Sequence, residues 1–366
     1  MSSLLQHIIL KFPLPKAVDN VTGELFDDYF NQYLEEFFKE LNTIPKPVVF
    51  PDGGHTGVAS ELALEAIAGI CTDLKTVLEY YLNGLPALAF NYFSDLVKHY
   101  GLDKSILRLR IEKIPKHQAF FRTQGYYKPS KPATGPEAFA WDPSADPKTI
   151  FHPPFNKRKR VGTNRFSIPG YPCLYLSDQL ITSYHEATQH ETAPVHAISL
   201  YNNRPMYIAD LSPMPQSILQ DKSRVSDIEY TNSLLNYLMV FPLIAASHLK
   251  IKYAEEYKNE VKFKVEYIIP QLLLQWFQQN SKLTIDGIKY QSCSTALDPV
   301  CCSHDQHNFI LTTEQKKPDI YCPKLSHLFD VSPVLFINPP DTASVDSVIQ
   351  NAQQELLKAT ASSFSI

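Results

Sequence analysis

The residues best suited to chemistry fall in one stretch, FHPPFNKRKRVGTNRFSIPGYPCLYLSDQLITSYHEATQH, residues 151–190. It places Arg165 in a loop, Tyr175 in a short strand-like run and Glu186 on the following helix, eleven positions after the tyrosine. An arginine presents a planar fork of donors that matches phosphate oxygens two at a time. A carboxylate beside a sugar can stabilise a developing positive charge and accept a hydrogen bond from a hydroxyl. A tyrosine can stack on a ring or donate one hydrogen bond. On spacing alone the plainer reading wins: a surface charge, a half-buried strand residue and a solvated helix position. The basic run Lys157 to Arg160 reads first as a solvated loop, and secondarily as an aid to drawing in an anionic ligand. Cys301, Cys302, His304 and His307 form the nearest approach to a metal cluster. They lack a second ligand pair at standard spacing, and adjacent cysteines are awkward tetrahedral ligands, so no metal is expected.

The elements that must carry these residues follow from periodicity. Between Leu25 and Leu41 the residues Phe26, Tyr29, Phe30, Tyr33, Leu34, Phe37, Phe38 and Leu41 recur at helical spacing and give one broad apolar face. That face is expected to pack against another element, either in a dimer or over the rest of the same chain. A second helix is expected from Ala59 to Leu82, ending at Asn83-Gly84, and a third between Pro86 and Gly101. Residues 115–172 are rich in proline and show no helical period. Short strand-like runs follow at 173–177, 195–200, 206–210, 287–292, 308–312 and 334–337, with helices at 178–190, 228–239 and 270–279 and a last one at 343–358. The fold class this implies is α+β: an all-helical N-terminal domain over 1–105, a mixed-sheet domain over 106–342, and a C-terminal helix and tail over 343–366.

Composition narrows the function. The chain has 366 residues, 44% of them hydrophobic, which suits a globular protein. A formal net charge of -4 with a pI near 6.3 provides no global basic field, so nucleic acid is not an expected partner. The opening MSSLLQHIILKFPLPK has its basic residue after a short, interrupted apolar run, the reverse of a secretory signal. No stretch approaches the length of a membrane span. Six scattered cysteines, two of them adjacent, fit reduced thiols better than a disulfide framework. The expected location is the cytoplasm.

The order of motifs is more specific than their charges. Arg-Phe-Ser at 165–167, Gly-Tyr-Pro at 170–172, Leu-Tyr-Leu-Ser at 174–177 and a helix bearing Glu186 resemble the RES family, named for an arginine, a glutamate and a serine. The family's serine ends a strand entered through Gly-Ile-x-Tyr-x-Ser; here that is GIKYQS, ending in Ser292, behind the helix-like EYIIPQLLLQWF. HQAFFRTQ places Arg122 where the family's opening strand carries an arginine. The resemblance spans residues 110–340 and leaves the first hundred outside.

It implies a fold similar to that of ADP-ribosyltransferases and cleavage of NAD at its nicotinamide–ribose bond, by hydrolysis or phosphorolysis. Many members are toxins held by an antitoxin. The catalytic set implied is Glu186, Arg165, Tyr175 and Ser292, with Arg122, Arg165, Tyr175 and Ser292 holding NAD. Glu186 would stabilise the cationic ribose, the arginines would take the pyrophosphate, and Tyr175 and Ser292 would contact ring or ribose. Departures are the helical N-terminal region, the long proline-rich insertion, and Tyr184 at the position two before the glutamate, where transferases that modify proteins commonly carry a second acidic or amide residue. A small acceptor, water ahead of phosphate, is therefore expected. Transfer to a macromolecule and a non-enzymatic nucleotide-binding role are the alternatives. The spacing of Arg110 and His117 is also similar to that of the helical HEPN-type ribonucleases, but Pro115 interrupts the helix such a motif needs.

Overall fold

The structure is a computed structural model that describes residues 2–19, 26–44, 56–100, 110–125, 138–189, 191–213, 218–219, 226–252, 263–280, 285–293, 306–316, 318–340, 344–359 and 362–363. In chain order it begins with α1 (Ser2–Lys11), β1 (Lys16–Asp19), α2 (Phe26–Leu41), α3 (Thr56–Leu82) and α4 (Pro86–His99). Next come β2 (Arg110–Ile114), β3 (Ala119–Gly125), β4 (Phe139–Trp141), 3-10 turns at Pro147–Thr149 and Phe155–Arg160, β5 (Leu174–Ser177) and α5 (Leu180–Thr188). Then follow β6 (Val195–Asn202), β7 (Met206–Asp210), α6 (Asp227–His248), β8 (Leu249–Lys252) and α7 (Ile268–Gln279). The last elements are β9 (Gly287–Gln291), β10 (His307–Leu311), α8 (Pro323–Leu328), β11 (Phe329–Val331), β12 (Leu335–Ile337), α9 (Val345–Lys358) and β13 (Ser362–Ser363). The α+β class expected from the sequence holds.

Two compact units emerge, and they do not follow the linear division. One comprises Met1–Ile111 with Leu211–Gln279; the other comprises Glu112–Asp210 with Asn280–Ile366. The reason lies in α6 and α7. From Leu234 to Ala246 nearly every side chain of α6 is buried, and α7 buries Ile268 to Leu274 without a break. A helix apolar on all sides needs partners all round, and the N-terminal helices supply them. The C-terminal helix α9 has one apolar stripe, Val348, Ile349, Ala352 and Leu356, which packs on the sheet unit.

In the helical unit the aromatic face of α2 is consumed internally. The rings of Phe37 and Phe241 lie 4.5 Å apart, and Phe12 sits edge-on to Tyr33 and Phe37 at 5.5 and 5.4 Å. Phe26, Phe30, Tyr33 and Phe37 are buried, each phenylalanine contributing roughly 1.5–3 kcal/mol. Of the two expectations, a dimer or the rest of the same chain, the buried members follow the second: Phe12 and α6 of the same chain pack against them, and Phe38 is left at the surface. Ser226 starts α6 with a capping box, its hydroxyl accepting from the Glu229 N–H while the Glu229 carboxylate accepts from Ser226 N–H.

The sheet unit is built on strands in the order β13-β11-β6-β3-β5-β10-β9-β7-β2, with β12 pairing β4 and β6. Its centre is antiparallel: β3 with β6 over Ala119–Gly125, β5 with β10, and β10 with β9. β3 meets β5 at a single register pair, Phe121 opposite Ser177, so these central strands diverge. Gly287 is required where β9 meets β10, because a Cβ there would lie 2.2 Å from the Ile310 carbonyl oxygen. The proline-rich stretch 115–172, without helical period as read from the sequence, contains β3, β4 and two 3-10 turns, while Pro129, Pro132 and Pro136 lie outside the described residues. Among the described residues no helix is long and apolar enough to cross a membrane.

Candidate active site

Alternation along paired strands decides which side chains share a face. Phe121, Ser177, Asn308 and Tyr290 stand opposite one another in one row across β3, β5, β10 and β9. Phe121 belongs to the apolar cluster that includes Leu180 and Tyr184 of α5, so this row lies on the face that α5 covers. Tyr175, two residues before Ser177, and Ser292, two after Tyr290, share it. Helix α5 is pinned there by Thr123, whose N–H donates to Ser183 Oγ at 2.9 Å and whose hydroxyl donates to the Ser183 carbonyl at 2.6 Å. The Gln353 side chain caps the Leu180 N–H at 2.7 Å.

Fixed in this way, α5 brings Glu186 to Ser292. The Ser292 hydroxyl donates to Glu186 Oε1 at 2.6 Å, and the Asn308 amide donates to the same oxygen at 3.0 Å. Ser177 Oγ donates to Asn308 Oδ1 at 2.7 Å, which turns the amide nitrogen toward the glutamate. Among the described residues Glu186 Oε2 accepts no hydrogen bond, and the residue itself is exposed. One carboxylate oxygen is thus saturated by protein donors while the other faces outward.

Arg165 and Tyr290 complete the cluster. Arg165 is only 7% exposed, and its positive charge acts on the Tyr290 hydroxyl. Burial, then the Glu186 charge, push that hydroxyl well above the ordinary tyrosine range, with Cys293 and Tyr175 adding to the effect and Arg165 opposing it. Tyr290 therefore stays protonated and can donate. Its ring packs on Phe166, centroids 4.9 Å apart. Tyr175 donates its hydroxyl to the Phe166 carbonyl at 2.8 Å, and its own ionisation is raised chiefly by burial. It holds the loop that carries Arg165, a positioning role distinct from the expected contact with ring or ribose.

Arg122 is not brought to this face. It alternates with Phe121 and therefore belongs with Phe120, Leu174 and Leu176 on the opposite side of the sheet. There its guanidinium donates to the Ile150 carbonyl and, at 2.8 Å, to the Tyr175 carbonyl, fastening β5 where β3 diverges from it. Desolvation lowers its pKa to about 10. The placement corrects the expectation that Arg122 joins Arg165 on the pyrophosphate. Tyr184 is likewise taken up by packing: it is buried, and its hydroxyl bonds both the N–H and the carbonyl of Ala193 at 3.1 Å. Arg110 begins a strand and His117 occupies a turn at φ 66°, so the spacing similar to a helical ribonuclease motif has no helix under it.

Of the cysteine–histidine cluster, Cys301, Cys302 and His304 lie outside the described residues. His307 is described, with its Nδ1 2.7 Å from Asp178 Oδ2. Sequence reasoning missed Asn308, Ser177 and Tyr290. One signal was available: an asparagine near the start of a buried strand is unfavourable there unless its amide has a task. A cavity of 440 Å³ lined by Trp141, Pro143, Pro333, Glu355 and Lys358, among others, shares no residue with this cluster.

No protein-family model matches the chain. No solved structure matches it. It is 26% identical over 336 residues to a protein of Bacillus subtilis (strain 168) named "Putative toxin YopC", a similarity that covers 90% of this chain and 69% of that protein.

Proposed function

We propose that this protein is a RES-type enzyme that cleaves NAD at the nicotinamide–ribose bond and acts in the cytoplasm as a toxin. The observation that carries the reading is the convergence of the three residue types of the resemblance. Glu186 and Ser292 share a hydrogen bond, and the charges of Glu186 and Arg165 both reach one buried tyrosine, Tyr290, in opposite senses.

Nicotinamide already carries positive charge and leaves readily, so the enzyme's main task is to hold NAD and stabilise an oxocarbenium-like ribose. The outward oxygen of Glu186 suits that task, since it can accept from a ribose hydroxyl while its negative charge faces the developing cation. Ser292 and Asn308 hold the carboxylate rigid through the other oxygen, which spares reorganisation during the reaction. Arg165 takes the pyrophosphate, and Tyr290 offers a fixed neutral donor. None of these roles requires a metal.

A small acceptor follows from Tyr184. The position that would orient a protein acceptor is locked in packing, whereas water needs only access to the anomeric carbon. The similarity to a protein named a toxin supports the biological setting, and a cognate antitoxin is the partner this setting calls for. Expression of the chain in growing bacteria should lower cellular NAD and halt growth, and the Glu186→Gln chain should do neither. Growth arrest at undiminished NAD would assign the toxicity to another chemistry.

A further inference from the structure

Helix α5 carries Glu186, yet nothing in its own lead-in closes its start. Gln179 stands at the N-cap, and its side chain makes no capping hydrogen bond. The first N–H groups of a helix have no partner within it, and Leu180, at the first position, is completely buried. The acceptor comes from a residue 173 positions away: Gln353 Oε1 of α9 takes the Leu180 N–H at 2.7 Å.

Helix α9 also reaches the other end of α5. Asp346 Oδ1 lies 3.7 Å from Nε2 of His185, the residue before Glu186. Between these two points Val348, Ile349, Ala352 and Leu356 of α9 pack in one cluster with Leu180 and Tyr184 of α5. Asp346 and Gln353 are about 10 Å apart along α9, and Leu180 and His185 about 7.5 Å apart along α5. The helices therefore run antiparallel with a polar contact at each end, and α9 braces α5 over most of its length. Its far end is tied to the sheet, where Ser199 Oγ donates to the Leu356 carbonyl at 3.3 Å and the Tyr201 hydroxyl to the Leu357 carbonyl at 3.4 Å.

Glu186 stands about 9 Å along the α5 axis from Leu180, so a movement at the start of this short helix is passed to the carboxylate. There the bonds from Ser292 and Asn308, at 2.6 and 3.0 Å, tolerate little displacement. Arg165 is fastened separately, by the bond from Tyr175 to its loop.

We propose that Gln353 is a positioning residue for Glu186, acting through α5, and that α9 is the brace that fixes the catalytic carboxylate. This rests on the NAD reading above and adds to it a residue that acts from outside the cluster. Because Glu186 serves the cationic transition state and Arg165 the bound phosphates, loosening the brace lowers kcat and spares KM.

Two substitutions test this in the full chain. Gln353→Met removes the acceptor at similar length, whereas Gln353→Glu keeps it and sets a negative charge at a helix N-terminus, where it is favourable. In nicotinamide release Gln353→Met should show kcat about tenfold lower with KM within about twofold of wild type, and Gln353→Glu should recover most of the loss. Asp346→Ala loosens the other end at an exposed position and should give the same signature, about threefold on kcat, if Gln353→Met is too unstable to assay. Added to Glu186→Gln, Gln353→Met should cost about twofold or less, because no carboxylate is left to position. A full further tenfold there, wild-type kcat in the folded single variant, or a loss carried by KM would each overturn the proposal. Amide exchange across Leu180–Thr188 gives a reading that needs no substrate: protection should fall in Gln353→Met and return in Gln353→Glu, and equal protection in all three chains would overturn the brace. Absence of nicotinamide release by the wild-type chain, with that exchange pattern present, would instead overturn the NAD reading alone.

Discussion

Glu186→Gln lowers the rate of nicotinamide release by about 10²–10³ and leaves the folded structure in place, because the substitution touches only one oxygen of one side chain. In the wild type Oε1 receives Ser292 and Asn308. A glutamine keeps a carbonyl oxygen for both donors and replaces only the outward Oε2 with an amide nitrogen. The negative charge that stabilises the cationic ribose disappears, and the new group donates where the carboxylate accepted. Steady-state rates with a thermal melt on the same sample measure both parts. Near-normal turnover in a folded Glu186→Gln protein would mean that the catalytic carboxylate lies elsewhere.

Arg165→Ala produces a comparable loss of a different kind. A fork of charge-assisted hydrogen bonds to a pyrophosphate is worth roughly 3–4 kcal/mol, so kcat/KM should fall by about 10²–10³ with KM carrying a large share. Arg165→Lys should recover only part of this, since an ammonium keeps the charge and loses the fork. Because Arg165 is 7% exposed and its loop is held by Tyr175, some loss of stability will accompany the substitution. The KM effect separates the two roles. A lowered melting temperature with unchanged KM would make Arg165 a packing residue.

Much of the frame was legible because it rests on local periodicity. Helix α2 runs from Phe26 to Leu41 as the aromatic spacing requires, and GIKYQS forms β9 with Ser292 at its end. Gly287 explains the first letter of that motif, since no side chain fits against the Ile310 carbonyl. The face of Arg122 was not legible. A residue's side of a sheet depends on register with distant strands, and a shift of one residue reverses it. Partnership of α6 and α7 with the N-terminal helices was equally hidden, because an all-apolar helix declares that it is buried without declaring against what. Asn308 could be suspected from its place in a buried strand, but its partners Ser177 and Glu186 become visible only once β10 is known to lie between β5 and β9, which brings side chains more than a hundred residues apart into one row.

The central claim is tested most directly by incubating the purified full chain with NAD in the presence of EDTA and resolving the products by mass spectrometry. Hydrolysis predicts nicotinamide and ADP-ribose in equal amounts, growing linearly with protein and slowed about 10²–10³-fold by Glu186→Gln. Phosphorolysis would instead give nicotinamide and ADP-ribose 1-phosphate directly from NAD when phosphate is added, phosphate taking the anomeric carbon that nicotinamide leaves. Intact NAD in a folded, otherwise active preparation, or activity on NAD that EDTA removes, would contradict the account.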